Sequence, residues 1–141
     1  MLKGRRMAFD YGDARIGIAI SDMDGLLAVP LATVKNVLET RENELRALVA
    51  EYSPIHLYVG RPLHLSGKEG ESSAKAQAFS ELLKDITGIP VSLIDERLST
   101  VSAARALKEA GRTAKQARKV IDEAAAVEIL EMALNAEKAK R

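Results

Sequence analysis

Three acids far apart in the sequence carry the chemistry this chain could do. Asp10 closes the apolar run Met7-Ala8-Phe9 and is followed at once by Tyr11-Gly12. Glu96 follows Val91-Ser92-Leu93-Ile94-Asp95, and Asp122 stands near the start of the last helical stretch. Each sits at the end of a regular element. Burying even a neutral polar group without a partner costs roughly 2–7 kcal/mol, so a carboxylate at a buried strand end calls for a metal, a proton or a cation. The chain has no cysteine and only two histidines, His56 and His64. Its candidate donors are therefore hard oxygens, which select Mg²⁺ or Mn²⁺ over zinc. Two such ions about 3.5–4 Å apart activate water and stabilise the leaving oxygen in an in-line attack on a phosphodiester. Each acid also has a plainer use. Asp122 can cap a helix, and Asp95-Glu96-Arg97 can form a surface strand end with a local ion pair.

The elements that must position these acids follow from periodicity. Arg6 to Asp10 reads as a buried strand whose alternation puts Asp10 on the face of Ala8 and Arg6, opposite Met7 and Phe9. Tyr11-Gly12-Asp13-Ala14 reads as a hairpin turn with glycine available for positive φ. Arg15 to Ser21 alternates Ile16, Ile18 and Ile20 with Gly17 and Ala19, and Gly17 signals close approach of another backbone or a ligand. After a turn over 22–25, Leu26 to Val34 reads as a third strand with Pro30 at an edge or bulge. Arg41 to Tyr52 has helical spacing and ends at Pro54. A short strand from Ile55 to Val59 leads into Gly60-Arg61-Pro62. Ser72 or Ser73 can cap a helix through Phe79, Leu82, Leu83 and Ile86 that Gly88 and Pro90 stop. Val91 to Ile94 forms a fifth strand, in which Glu96 shares a face with Ile94 and Asp95 with Leu93. Only one of the pair can point at Asp10, and Glu96 is favoured over Asp95. Ser99 or Thr100 can cap a helix through Val101, Ala104 and Leu107 that closes at Gly111. The last helix runs from Val120 to Ala136, with Asp122, Ala125, Ala126, Ile129 and Ala133 on one stripe. Those alanines permit a close helix–sheet approach, and a carboxylate at a helix N-terminus gains roughly 0.3–1 kcal/mol from the macrodipole. The order β-β-β-α-β-α-β-α-α implies a mixed five-stranded α/β sheet with helices on its faces.

Composition narrows the function. At 141 residues the chain is long enough for one domain with a substantial core. No apolar run approaches the ~20 residues that span a bilayer. The opening Met1-Leu2-Lys3-Gly4-Arg5-Arg6 lacks the long apolar segment of a secretory signal. With no cysteine, a cytoplasmic protein without membrane attachment is the expectation. Net charge is only +1, but its distribution is uneven: Arg112, Lys115, Arg118 and Lys119 form a run without an acid, and the tail Lys138-Ala139-Lys140-Arg141 is basic again. Such runs are nucleic-acid contacts or merely solvated faces. Five aromatics and no tryptophan disfavour a single-strand binder that stacks bases.

The motifs carry a resemblance. Asp10-Tyr11-Gly12, Arg15-Ile16-Gly17-Ile18-Ala19 and Ser21-Asp22 resemble the opening of the YqgF/RuvX family, described as Holliday junction resolvases and as the nuclease that finishes the 5′ end of 16S ribosomal RNA. Val59-Gly60-Arg61-Pro62-Leu63 with Gly67 and Glu69-Gly70 resembles its central loop. Asp95-Glu96-Arg97-Leu98-Ser99-Thr100 with Ala103 resembles its second acidic motif, and Asp122 with Ala125-Ala126 and Ile129-Leu130 its last. The resemblance implies one RNase H-like nuclease domain over residues 1–141 with sheet order 3-2-1-4-5. It implies Mg²⁺ or Mn²⁺ held by catalytic acids Asp10, Glu96 and Asp122, on the first strand, the fourth strand and the final helix. The strand count from periodicity instead puts Glu96 after the fifth. The implied partners are precursor ribosomal RNA or branched DNA, with a ribosomal partner and a monomer or homodimer as the assembly. Arg15, Arg61 and Arg97, beside the motifs, could meet substrate phosphates or neutralise the carboxylates; Arg112, Lys115, Arg118 and Lys119 would extend the nucleic-acid surface. His64-Leu65-Ser66 departs from the family's more Asn- and Asp-like loop, so His64 is read as a loop residue. Processing of precursor 16S rRNA ranks ahead of junction resolution and of a non-cleaving binding module. The actin/sugar-kinase superfamily, whose phosphate loop also follows a strand Asp-x-Gly, ranks last because 141 residues are too few for its paired domains.

Overall fold

A computed structural model of the chain describes residues 1–62, 70–96 and 115–140, with side chains over 115–121 left aside. Five strands form one sheet: β1 (Arg6–Tyr11), β2 (Arg15–Ser21), β3 (Ala28–Lys35), β4 (His56–Arg61) and β5 (Val91–Asp95). Their order is β3-β2-β1-β4-β5. The first three strands are antiparallel neighbours, whereas β4 runs parallel to β1 and β5 parallel to β4. The carboxyl ends of β1, β4 and β5 therefore lie at one end of the sheet, beside the start of β2. From β1 the chain goes one way to β2 and β3, and from β4 the other way to β5. Open α/β sheets bind ligands at such a switch in direction.

Alternation divides the core into two layers. Met7, Phe9, Ile16, Ile18, Ile20, Leu57 and Val59 face helices α1 (Arg41–Tyr52) and α2 (Glu71–Thr87), meeting Leu45, Val49, Phe79 and Leu83. Each fully buried side chain of this kind contributes roughly 1.5–3 kcal/mol. The opposite face is built from smaller residues. Ala8 and Ala19, paired across β1 and β2, lie with Tyr58 under Ala125, Ala126, Ile129 and Ala133 of α3 (Lys115–Ala139). Small side chains on both partners let α3 sit close to the sheet.

Several local expectations are revised. Leu26 and Leu27 belong to a turn, because the Asp22 carboxylate accepts their amides at 2.7 and 3.0 Å, and β3 starts at Ala28. Positive φ is used by Gly25 and Gly88 rather than by Gly12. The bulge near Pro30 is present: the β2–β3 register shifts between Ile18 and Ala19, which pair with Ala32 and Pro30. Helix α1 ends at Ser53 in the left-handed conformation, whose amide donates to the Val49 carbonyl at 2.8 Å. Helix α2 starts after Gly70, so neither Ser72 nor Ser73 caps it. Helix α3 begins five residues before the sequence pattern suggests. Asp122 is then two turns inside it, beyond the first turn to which the macrodipole benefit is confined, and it caps nothing. The helix expected from Ser99 to Gly111, and His64, lie outside the described residues.

At the amino-terminal end of β1 a polar network ties the carboxyl end of α3 to the sheet. Arg6, 1% exposed, donates from Nε and Nη2 to the Glu137 carboxylate at 3.2 and 2.9 Å. Its remaining donors reach the carbonyls of Gly4 and Leu2. The Tyr58 hydroxyl donates to Glu137 Oε2 at 2.6 Å, and His56 stacks on the Tyr58 ring while sharing a 2.8 Å hydrogen bond with Ser92. Burial, reinforced by Glu137, pushes the Tyr58 phenol upward, so it remains a donor.

Candidate active site

Asp10 sits one residue from the end of β1 and is 5% exposed. Its partner on β2 is Gly17. Directly paired residues point to the same face, and the face is that of α3. A Cβ on Gly17 would collide with the Asp122 carbonyl and lie 3.2 Å from Asp122 Cβ. The missing side chain is the space that the α3 backbone occupies, and it sets the Asp122 side chain, 1% exposed, beside the Asp10 strand.

A second glycine does the same on the other side. In β4, Phe9 pairs with Val59, so Gly60 is the next position, alongside Asp10. Gly60 pairs with Ile94 of β5, which packs in the α3 layer. Two residues on, Glu96 returns to that face. A Cβ on Gly60 would stand 2.9 Å from the Glu96 carboxyl carbon. Glu96 therefore leans across the bare position of β4, with its amide donating to the Arg61 carbonyl at 3.2 Å and its side chain 2% exposed. Asp95 is exposed and paired with Arg61 in register, on the α2 side. Glu96 is thus carried by the end of β5, not by the fourth strand that the resemblance implied. It reaches the site because β4 has no side chain in the way.

The three acids share one face and one end of the sheet. Among the described residues, no group of three carboxylate, imidazole or thiol side chains is assembled closely enough to hold a metal ion. Asp122 Oδ2 accepts from Arg15 Nε at 2.7 Å. Arg15, 26% exposed, lies at the water boundary and balances a carboxylate that is out of solvent. Of the two roles open to Arg15, phosphate contact or carboxylate neutralisation, this geometry displays the second.

The other cations are distributed around this end. Arg61 turns to the opposite face, where its Nε donates to the buried Ser73 hydroxyl at 2.9 Å. That explains Ser73: it is buried within α2 to hold an arginine. Lys75 of α2 reaches Asp13 in the β1–β2 turn at 2.9 Å and Glu71 at 3.4 Å, which raises its pKa. Arg97 and Arg112 lie outside the described residues, as do the side chains of Lys115, Arg118 and Lys119. The backbone of the last three opens α3, ahead of Asp122 on the same helix. Sequence reasoning missed the part played by Gly60, whose signal was a glycine at the end of an apolar strand.

Comparison with known proteins decides the lineage. Residues 4–136 match the family model described as RuvX, Holliday junction resolvase. The chain belongs to the RuvX family. Relatives of this RuvX chain include a Streptomyces coelicolor protein named "Putative pre-16S rRNA nuclease", 49% identical over 140 residues, covering 98% of this chain and 84% of that protein. A protein of the same name from Leifsonia xyli subsp. xyli is 44% identical, with 99% and 90% covered. Two solved structures of Thermus thermophilus RuvC, one in complex with a Holliday junction substrate, superpose with TM-scores of 0.57 and 0.52 at 17% and 16% identity, each covering 96% of both chains. These structural likenesses establish the RNase H-like fold of this RuvX chain. The family and the names of its relatives support a nuclease, a hydrolase of phosphodiester bonds. No helix among the described residues is long and apolar enough to cross a membrane.

Proposed function

We propose that this RuvX chain is a divalent-metal-dependent nuclease that cuts structured nucleic acid and processes the 5′ end of precursor 16S rRNA. One observation carries the reading. Three acids from β1, the end of β5 and α3 are each no more than 5% exposed on one face, with glycine at both positions flanking the central one. Gly17 makes room for the α3 backbone at Asp122, and Gly60 for Ile129 and the Glu96 carboxyl, so the two elements that carry the outer acids close on the strand that carries Asp10. The all-oxygen donor set fits Mg²⁺ or Mn²⁺, which Asp10, Glu96 and Asp122 would hold. Such an ion supplies an activated water and a counter-charge for the phosphate oxygens. The chain's own residues do the rest. Gly17 and Gly60 fix where the carboxylates stand. Arg15 balances Asp122 and lies where a phosphate can reach its guanidinium. Arg61, Arg97, Arg112, Lys115, Arg118 and Lys119 are the sequence's candidates for further phosphate contacts. RNA is preferred because the Streptomyces and Leifsonia relatives carry the rRNA-nuclease name. Junction resolution is the second reading, favoured by the description of the family model.

The test is Asp10→Asn. With Mg²⁺ or Mn²⁺ present, the wild type should cleave an RNA spanning the precursor 5′ junction, and the variant should not. Thermal melting and RNA binding should persist in the variant. A four-way DNA junction assayed in parallel separates the two substrates, and equal cleavage by wild type and variant would refute the mechanism.

A further inference from the structure

Arg41 is a cation at this end of the sheet with which no acid among the described residues forms an ion pair. It is the first residue of α1, half-buried, at the end of a helix where a positive charge is disfavoured. Its Nη1 donates to the Asn36 side-chain oxygen at 2.6 Å and lies 3.5 Å from the Tyr11 hydroxyl. Both are neutral. Its Nε is buried, and among the described residues it makes no hydrogen bond and no acid forms an ion pair with it. The neighbouring cations differ: Arg15 is answered by Asp122, and Lys75 by Asp13 and Glu71.

The side chain is nevertheless held in place. Asn36, which accepts from Arg41, donates through its own Nδ2 to the Gly12 carbonyl at 2.8 Å. Tyr11 packs its ring on Phe79, with centroids 4.7 Å apart. A guanidinium is thus fastened to the turn that begins two residues after Asp10. Because Tyr11 and Asp10 point to opposite faces, Arg41 stands on the α1/α2 side of the same sheet end, away from Asp122. A permanently charged guanidinium held this way, half-buried with its Nε closed off, suits a phosphate that meets its outer nitrogens.

Resting on the nuclease reading, we propose that Arg41, with Tyr11 and Asn36 holding it, binds a non-scissile backbone phosphate of the nucleic-acid strand where it crosses from the α3 face to the α1/α2 face. The substrate then supplies the missing counter-charge. Arg41 acts as a strand clamp and takes no part in bond cleavage.

The test uses the full chain carrying Asp10→Asn and a single-stranded RNA oligonucleotide, with and without Arg41→Gln, titrated across salt concentrations. Losing one phosphate contact should lower the slope of log K against log salt by about 0.7 for single-stranded RNA and weaken binding at low salt. Arg41→Lys should restore the slope while recovering only part of the affinity. An unchanged slope in a folded Arg41→Gln protein overturns the proposal. A second measurement covers the case in which that variant does not fold: phenylglyoxal modification of the Asp10→Asn protein, mapped by mass spectrometry. RNA should protect Arg41; an Arg41 modified equally with and without RNA, or one closed to the reagent, overturns it. Failure of the nuclease reading looks different, because the wild type would then show no cleavage whatever Arg41 does.

Discussion

Gly17→Ala tests the architecture of the site without touching a charged group. The added Cβ would meet the Asp122 carbonyl well inside contact distance and stand 3.2 Å from Asp122 Cβ. Carbon atoms settle at roughly 3.5–4.0 Å, so α3 must lift from β2 by about 1 Å. The helix has little slack, since Ala125, Ala126 and Ile129 are already closed against Ala8 and Ala19. Overpacking of this kind destabilises by about 1–3 kcal/mol. For a chain of this size that is a fall in Tm of roughly 3–12 °C, at about 3–4 °C per kcal/mol. Catalysis should suffer more. The lift moves Asp122 relative to Asp10, and misplacement by about 1 Å can lower a rate by ~10²-fold. The control is Gly88→Ala. Gly88 ends α2 at φ 70 with nothing near its would-be Cβ, so alanine there is strained without crowding anything. It should cost about 1 kcal/mol of stability and leave cleavage intact. Both variants would be assayed below their melting temperatures by circular dichroism and by initial cleavage rate. If Gly17→Ala cleaves as fast as Gly88→Ala, close seating of α3 on β2 does not set the site, and the reasoning fails.

Three further outcomes follow from the geometry. Glu96→Gln should lower the cleavage rate by ~10²-fold or more, whereas Asp95→Asn, on the exposed side, should stay within a few-fold; the reverse ranking would show that the strand's alternation has been misassigned. Glu137→Ala leaves the Arg6 guanidinium buried without its carboxylate and should destabilise by about 3 kcal/mol in urea unfolding, the low end for a buried pair because Glu137 is 24% exposed. Stability should also fall in two steps on acidification. Burial lowers the His56 pKa against the pull of Glu137, so its contribution is complete above 6.5 and is lost as pH drops through the folded value. Burial raises Glu137, but hydrogen bonds from Tyr58 and Arg6 outweigh it and leave it below 4.5, placing the second loss under that pH. His56→Gln should remove the first step and keep the second.

The sequence displayed the sheet more fully than the site. Strand alternation assigned Asp10 to the Ala8 face and Glu96 to the Ile94 face, and both assignments follow from a period of two that tertiary packing does not disturb. Gly17 announced a close approach, and the approaching backbone is that of α3. The beginning of α3 was hidden because residues 115–119 are mostly basic and polar, with no apolar rhythm to mark a helix. Ser73 looked like a cap because serine near a helix start usually is one; its burial against Arg61 depends on β4, twelve residues earlier in the chain. Gly60 was hardest to read. Its value comes from β5 leaning across β4, a relation between strands that neither strand's own pattern contains. Arg41 was hidden for a similar reason, since nothing local distinguishes a surface cation from one left unanswered in a clasp.

The pairing of Arg15 with Asp122 explains how such a site can fold before any ion or substrate arrives. A carboxylate that is 1% exposed needs a partner for its oxygens as soon as it leaves water. Arg15 provides one from the start of β2, the strand whose Gly17 fixes the Asp122 backbone. The two functions are separable: Gly17 sets where the helix lies, and Arg15 sets what charge the side chain sees. Arg15 is also the more exposed member of the pair, so its guanidinium can exchange a carboxylate for a phosphate without any movement of helix or strand. In the proposed reaction, a divalent cation would answer the Asp122 half of this ion pair and a substrate phosphate the Arg15 half. The rearrangement needed for that exchange is confined to side chains.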